Sequence, residues 1–326
     1  MIRTAIIGTG SYLPVRVFSN VDLERMVDTS DEWISSRTGI KTRHIAGKGE
    51  YTSVISSAAG KKALDAAGLK ARDLHLIIVG TMTPDMTMPS AACLVQKELD
   101  AVNAFAFDVN AACSGFLYAL TIADKFIQAD PRQKILVIGG ETLSSRVNWQ
   151  DRNTCVLFGD GAGACLVTGN TEGRGIYSSH LFSDGRLWNL LSMPGAPSMN
   201  PDLPSTHNND GSYIRMQGPD VFKHAIRAME QAVLAVLADN HLTIADINLV
   251  IPHQANIRII AGLAERLKVP LEKLFINIHK YGNTSAASVP IAIDEAVREG
   301  RLKHGDFLLL CAFGGGFTGG ATIIKW

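Results

Sequence analysis

Charge of one sign is the first thing this sequence lacks. Lys plus Arg number 31, and so do Asp plus Glu, so no global field draws in nucleic acid or an anionic membrane surface. Long apolar runs are missing too. No uninterrupted segment approaches the roughly 18 residues of a membrane-spanning helix. The opening MIRTAIIGTGSYLP has no basic leader followed by an apolar run and a cleavage site, so a cytoplasmic location is expected. Cys93, Cys113, Cys155, Cys165 and Cys311 are odd in number, widely spaced and form no CxxC pair. That argues against a zinc site or a disulfide framework and for reduced thiols; no metal is expected. Two glycine-rich stretches that invite a GxGxxG fingerprint do not match it. GTGS from Gly8 and GDGAGA from Gly159 both miss its spacing, which excludes a Rossmann dehydrogenase, and GDGAGACLV reads as a hairpin-like turn into a strand.

What is present is a globular composition, 46% hydrophobic and 19% charged over 326 residues, with a large core to bury. Short β-rich runs alternate with amphipathic helical stretches, the pattern of a layered α/β fold. TAIIGTG, LHLIIVG, AFAFDV, KILVIGGE, INLVIP, LFINI and DFLLLCAF read as strands. Several are apolar at nearly every position, as expected where helices cover both faces of a sheet. SVISSAAGKKALDAAG, GFLYALTIADKFIQA, GPDVFKHAIRAMEQAVLAVLADN and VPIAIDEAVREG read as helices. GAPSMNPDLPSTHNNDGS, from Gly195, has the composition of a surface loop.

The chain also repeats itself. GLKARDLHLIIVGT from Gly68 aligns with HLTIADINLVIPHQ from His241, with Leu69 on Leu242 and Asp73 on Asp246, 173 residues apart. AFAFDV and the helix after Cys113 align with LFINI and the helix after Asn283, a shift of 170, and KILVIGG aligns with DFLLLCA at 172. Three segments in one order at a nearly constant offset predict two pseudo-symmetric βαβ-rich halves, 1–170 and 171–326.

Ligands of open α/β sheets bind at the carboxyl ends of strands. One such end delivers Cys113 in ACSGF, another His253 in PHQAN, and a third Asn283 in GNTSAAS. A cysteine at a helix amino terminus is a candidate nucleophile, because unpaired N–H groups and the helix dipole favour the thiolate. FGGGFTGG, Phe313 to Gly320, could present backbone N–H groups as an oxyanion hole together with the N–H of Cys113. Taken singly, each residue has a plain structural use: a small side chain at a crowded joint, a satisfied core histidine, a turn asparagine, a terminal hairpin. The case for chemistry is their convergence.

ACSGF, PHQAN and GNTSAAS in that order resemble β-ketoacyl-[acyl-carrier-protein] synthase III of the thiolase-like superfamily, over essentially the whole chain. The resemblance implies a thiolase-like fold, two halves in a layered αβαβα arrangement, and a cytoplasmic homodimer. It implies a decarboxylative condensation: Cys113 takes the acyl group of a short acyl-CoA, and His253 and Asn283 handle malonyl-acyl-carrier-protein. Cys113 and Gly315 would supply the oxyanion-hole N–H groups. Coenzyme A would meet Trp33, Arg37, Arg152 and Asn256, with Trp33 and Arg152 covering the two faces of adenine. Lys223 and Arg258 match positions facing the carrier protein or the nucleotide phosphates. Met88 matches a residue that closes the partner's acyl pocket, where a flexible methionine would admit longer or branched chains. No cofactor is implied, since acyl-CoA is a substrate. The alternatives are a paralogue priming a polyketide or quinolone pathway, a Cys-His-Asn thioester hydrolase, and an inactive carrier-protein scaffold.

Overall fold

LIIVG at 76–80 leaves no polar side chain to face water. In the computed structural model, which describes residues 2–194 and 213–326, all five of its residues are buried. The first half contains β1 (Arg3–Tyr12), β2 (Val17–Ser19), α1 (Asn20–Glu24), α2 (Asp31–Thr38), β3 (Thr42–His44) and α3 (Thr52–Ala67). It continues through β4 (Leu76–Gly80), α4 (Ala91–Leu99), β5 (Phe105–Val109), α5 (Gly115–Ala129), β6 (Lys134–Thr142), α6 (Arg152–Cys155) and β7 (Asp160–Asn170). Then come β8 (Gly175–Ser183), β9 (Leu191–Ser192), β10 (Arg215–Met216), α7 (Gly218–Asp239), β11 (Leu249–Pro252) and α8 (Ile257–Leu267). The chain closes with α9 (Ile278–Tyr281), α10 (Ser288–Arg298), β12 (Phe307–Gly314) and β13 (Thr318–Lys325). Residues 195–212 of the polar stretch noted above lie outside the described residues.

Two main sheets follow, ordered β1-β7-β6-β4-β5 and β8-β13-β12-β11. β4, β5 and β6 run parallel, as do β11 and β12, while β7 and β13 are antiparallel to the strands beside them. The register repeats with the topology. Leu76 faces Ile135 in the first sheet and Leu249 faces Leu308 in the second, each partner 173 residues on.

α5 and α10 lie between the sheets. Phe116, Leu117 and Leu120 of α5 and Val289 and Ile293 of α10 share one core with Leu76 and Ile78 on one side and Leu249, Leu308 and Leu310 on the other. The alternate residues Ile77, Val79, Leu136 and Ile138 pack outward against Ile55, Ala59 and Ala63 of α3 and Val95 of α4. Val250, Leu309 and Cys311 pack outward against α7 and α8. The result is the expected five-layer αβαβα arrangement. Glycine lets the central layer close on the sheet: a Cβ on Gly139 of β6 would lie 2.2 Å from the Ala286 carbonyl oxygen.

Two expectations change. LFINI is not a strand; only Leu274 bridges to Val250, so the second sheet has four strands where the first has five. GDGAGACLV is not a turn into a strand, because β7 already begins at Asp160. Its glycines are packing positions instead: a Cβ on Gly163 would lie 2.4 Å from the backbone nitrogen of Ile291 in α10.

Candidate active site

Between the end of β5 and the start of α5 the chain must turn within five residues, and it does so with strain. Ala112 takes φ +46°, a left-handed conformation costing a non-glycine residue roughly 1–2 kcal/mol. A 3₁₀ turn over Ala112–Ser114 follows and feeds α5. The second half repeats the device: Ser285 takes φ +49°, and a 3₁₀ turn over Ser285–Ala287 feeds α10. The strained residues lie 173 apart, so Ala112 matches Ser285, Cys113 matches Ala286 and Asn110 matches Asn283. This corrects the 170 shift. Asn283 is the counterpart of Asn110, not of Cys113, and the hydrogen bonds agree: Asn110 Oδ1 accepts the Ala112 N–H at 3.4 Å and Asn283 Oδ1 accepts the Ser285 N–H at 2.9 Å.

Cys113, His253 and Asn283 are 5%, 3% and 7% exposed, and all three line one cavity of about 960 Å³. The His253 backbone N–H donates to Cys311 O within β12, and its Nδ1 lies 2.6 Å from Ser288 Oγ. Ser288 Oγ also accepts the Gln254 N–H at 3.4 Å, which leaves the hydroxyl proton free to donate to Nδ1. Nε2 then carries the ring proton. The Asn283 backbone is clamped on both sides, donating to Leu157 O at 2.8 Å and accepting from Gly159 N at 3.0 Å. With Oδ1 occupied by Ser285, the Asn283 amide NH2 is the end left to donate.

The β12–β13 turn rests on the cysteine. A Cβ on Gly314 would lie 2.6 Å from Cys113 N, so no side chain fits there. Thr318 Oγ1 donates to Ala111 O at 2.7 Å, Ser114 Oγ donates to Thr318 O at 3.2 Å, and Gly315 lines the cavity.

Burial dominates the electrostatics. It pushes the Cys113 thiol up to about 12; the Ser285 hydroxyl opposes the rise and the Glu141 carboxyl adds to it. The expected lowering of this pKa by the helix start is therefore overturned, since desolvation penalises the thiolate more than nearby donors favour it. Burial also pushes His253 down to about 3, which keeps the imidazole neutral.

The remaining candidates divide. Trp33, Arg37, Asn256 and Arg258 line the cavity with the buried three, Arg37 and Arg258 on its exposed side. Asn256 Oδ1 accepts the Arg258 N–H at 2.8 Å and so caps α8. Arg152 does not line the cavity but stands over the Trp33 ring at 5.0 Å, with Arg37 at 5.1 Å. Lys223 is exposed on α7 beside the cavity residue Phe222. Met88 is 83% exposed and contributes nothing to this chain's own cavity.

Three residues escaped the sequence reading. Ser288 holds His253. Ser285 and Glu141 shift the Cys113 thiol in opposite directions, the hydroxyl down and the carboxyl up. Both serines lie inside GNTSAAS, and Glu141 is the one carboxylate ending the apolar run KILVIGGE, a signal that was there to be read.

Among known proteins, residues 107–185 match the family described as 3-oxoacyl-[acyl-carrier-protein] synthase III, and residues 237–326 match its C-terminal part. A β-ketoacyl-[acyl-carrier-protein] synthase III of Desulfotalea psychrophila is 55% identical over 325 residues, covering 100% of both chains. The crystal structure of 3-oxoacyl-[acyl-carrier-protein] synthase III from Aquifex aeolicus superposes with TM-score 0.92 at 50% identity, covering 99% of this chain and 100% of that one. The priming β-ketosynthase of the R1128 polyketide pathway superposes with TM-score 0.93 at 34% identity, covering 99% of this chain and 96% of that one.

Proposed function

The chain belongs to the β-ketoacyl-[acyl-carrier-protein] synthase III family, and from that premise we propose that its cavity joins a short acyl group to malonyl-acyl-carrier-protein with loss of CO2, priming fatty-acid synthesis. The protein is a condensing acyltransferase with a thiolase-like fold. One observation carries the mechanism. A buried thiol shares its cavity with two neutral hydrogen-bond donors, and among the described lining residues the cations, Arg37 and Arg258, are exposed.

In the first step the Cys113 sulfur attacks the acyl-CoA thioester carbonyl, the acyl–sulfur bond to CoA breaks, and CoA leaves with a proton. The N–H groups of Cys113 and Gly315 face the developing oxyanion. In the second, the malonyl thioester oxygen takes hydrogen bonds from His253 Nε2–H and the Asn283 amide. CO2 leaves, its bonding electrons pass into the enolate, and those donors stabilise the charge where it develops. The enolate carbon then attacks the acyl-cysteine, and the Cys113 thiolate departs. A neutral imidazole suits this task, because a full positive charge would hold the carboxylate and oppose its departure.

Trp33, Arg37, Arg152 and Asn256 are the proposed CoA contacts, and Lys223 and Arg258 the contacts for carrier-protein acid groups or nucleotide phosphates. The halves 1–170 and 171–326 divide the work, one supplying the nucleophile and the other the donors. A homodimer is supported by the free edge of the first sheet, where β5 presents Phe105, 50% exposed, near exposed Val102. Met88 would reach a partner's acyl pocket from there. Five free cysteines fit a reducing cytoplasm, and no described helix is long and apolar enough to cross a membrane. The mechanism draws on no resident cofactor. The polyketide-priming relative, at 34% identity, supports a second reading in a specialised pathway; the 55% and 50% matches favour the first.

Incubation with acetyl-CoA and malonyl-acyl-carrier-protein tests the reading. CO2 release with 3-oxoacyl product and a transient acyl group on Cys113 is expected. Thioester hydrolysis without a new carbon–carbon bond overturns it.

A further inference from the structure

Among the described residues, Arg43 is the bulkiest side chain that the fold buries completely, and it does not line the cavity. It stands in the middle of β3, and the oxygens it meets are neutral. Nη1 donates to Asn20 Oδ1 at 2.8 Å and to Phe18 O at 3.4 Å, and Nη2 donates to Val156 O at 2.8 Å. Nε finds no acceptor among the described residues. Burial lowers this guanidinium to about 10, so it stays charged at neutral pH. A buried cation with neutral partners and an idle donor is a burden on stability that an apolar side chain of similar volume would not carry. Its use lies in what it holds.

Val156 follows α6 and opens the run 156–159 that leads into β7. Leu157 O in that run accepts the Asn283 N–H, and the Gly159 N–H donates to Asn283 O, on either side of a short parallel bridge between Phe158 and Asn283. The stem of Arg43 packs against the glycines flanking that bridge. A Cβ on Gly159 would lie 3.0 Å from Arg43 Cβ and 2.4 Å from Tyr281 O; one on Gly282 would lie 3.3 Å from Arg43 Cβ and 2.9 Å from Leu157 O. Three segments meet there with no room for another methyl group. The other end of the fork rests on a wall fixed without it. Asn20 Nδ2 donates to Asp31 Oδ1 and Ile40 O, each at 2.7 Å, and Thr42 Oγ1 ties β3 to Lys280 O at 2.7 Å. A planar guanidinium can span from Asn20 to Val156 with two nitrogens, where a lysine has only one. The Cys113 turn and His253 depend on other contacts, the first on Thr318 and Gly314, the second on Ser288 and Cys311.

We propose that Arg43 is a positioning residue for Asn283: its guanidinium holds the 156–159 run, that run clamps the Asn283 backbone, and the clamp aims the Asn283 amide at the substrate oxygen. Arg43 touches no reacting atom. It acts on the decarboxylation step alone, through the donor it fixes. The proposal deepens the condensation reading, taking from it the role of Asn283 as a donor to the malonyl thioester.

The test measures two steps separately, single-turnover acylation of Cys113 by saturating acetyl-CoA and CO2 release from saturating malonyl-acyl-carrier-protein. The proteins are the wild type, Arg43→Met, Arg43→Lys, Asn283→Ala and the double variant Arg43→Met with Asn283→Ala. Arg43→Met keeps the volume and removes the fork; it should release CO2 at least about tenfold more slowly, the cost of one charge-assisted hydrogen bond. Its acylation should stay within about threefold of wild type, and Arg43→Lys should fall between the two. The double variant should be no slower than Asn283→Ala, because a residue that acts through Asn283 has nothing left to position. Wild-type CO2 release in Arg43→Met overturns the proposal, as does an equal loss in both steps, or a double variant slower by the product of the single effects. If Arg43→Met does not fold, Arg43→Lys takes its place in the same comparisons; failure of that variant to fold as well makes Arg43 a requirement of the fold and also overturns the proposal. A wild type that is acylated but releases no CO2 overturns the condensation reading and this proposal with it, whereas an active wild type with insensitive Arg43 variants overturns this proposal alone.

Discussion

Where α5 begins, the chain places a thiol on a strained three-residue turn; where α10 begins, the same turn, strained at the equivalent residue, carries the methyl group of Ala286. Both turns are preceded by an asparagine whose Oδ1 accepts the backbone N–H two residues on. The environments then diverge. Asn110 is exposed, whereas Asn283 is buried and clamped by Leu157 and Gly159. Gly314 touches the first turn, and Glu141 holds the matching place beside the second. Duplication has kept the backbone that aims side chains into the cavity. Chemistry was divided by changing which side chains occupy it.

The largest expected effect sets the two asparagines against each other. Asn283→Ala should still form the acyl-enzyme but lose about 10²–10³ in condensation, the usual cost of one oxyanion donor. Asn110→Ala, at the equivalent backbone position, should lose less than about tenfold. Single-turnover acylation from acetyl-CoA and the rate of CO2 release from malonyl-acyl-carrier-protein separate the steps. Equal losses in the two variants would mean that backbone position, not burial and clamping, makes the donor. Loss at acylation would remove Asn283 from the decarboxylation step.

A smaller effect tests the side chain that fixes His253. Ser288→Ala removes the partner of Nδ1, 2.6 Å away, and frees the ring to change tautomer. One net hydrogen bond is worth about 1.4 kcal/mol, a factor of roughly ten. That loss should fall on CO2 release, with acylation of Cys113 unchanged. Cys113 has no such orienting neighbour at the equivalent of Ser288, which is Gly115 at the start of α5. The same substitution there, Gly115→Ala, therefore probes packing alone, its Cβ meeting Ala286 Cβ at 3.3 Å.

Much of this was legible before any coordinates. LIIVG and FLLLC declare themselves because strands covered on both faces are apolar at every position, and GFLYALTIADKFIQA predicts α5 to the residue. Cys113, His253 and Asn283 stood out as reactive residue types at strand ends. The rest depends on three-dimensional pairing. Leu274 keeps its strand-like sequence but makes a single bridge. The repeat slips by three residues in sequence because nothing in the letters around Asn283 marks its register against Cys113, while the φ values of Ala112 and Ser285 that fix it are invisible there. Glu141 hid at the end of a strand, and whether a terminal carboxylate faces solvent or another turn is decided by the sheet across from it. The direction of the thiol's shift is hidden for a related reason: a helix start can be read from sequence, but the depth of burial above it cannot.

The last comparison is made through stability rather than rate, between the buried titratable groups of the two halves. Burial takes the His253 imidazole from 6.5 to about 3, so between those values the unfolded chain binds more protons and stability rises with pH. That contribution is complete above about 6.5 and is lost as pH falls. Glu141 goes from 4.5 to about 7, so the folded chain holds the extra proton and stability falls as pH rises through that window. From about 4.5 to 6.5 the two slopes oppose one another, each at most about 1.4 kcal/mol per pH unit. Glu141→Gln removes the falling slope and leaves the rising one. Urea unfolding at pH 4.5, 5.5 and 6.5 should show the variant gaining about 1–3 kcal/mol relative to the wild type across the window, while every other carboxylate cancels in the difference. A constant difference would mean that Glu141 is ionised in the fold at acid pH, stabilised by its three donors more than burial penalises it.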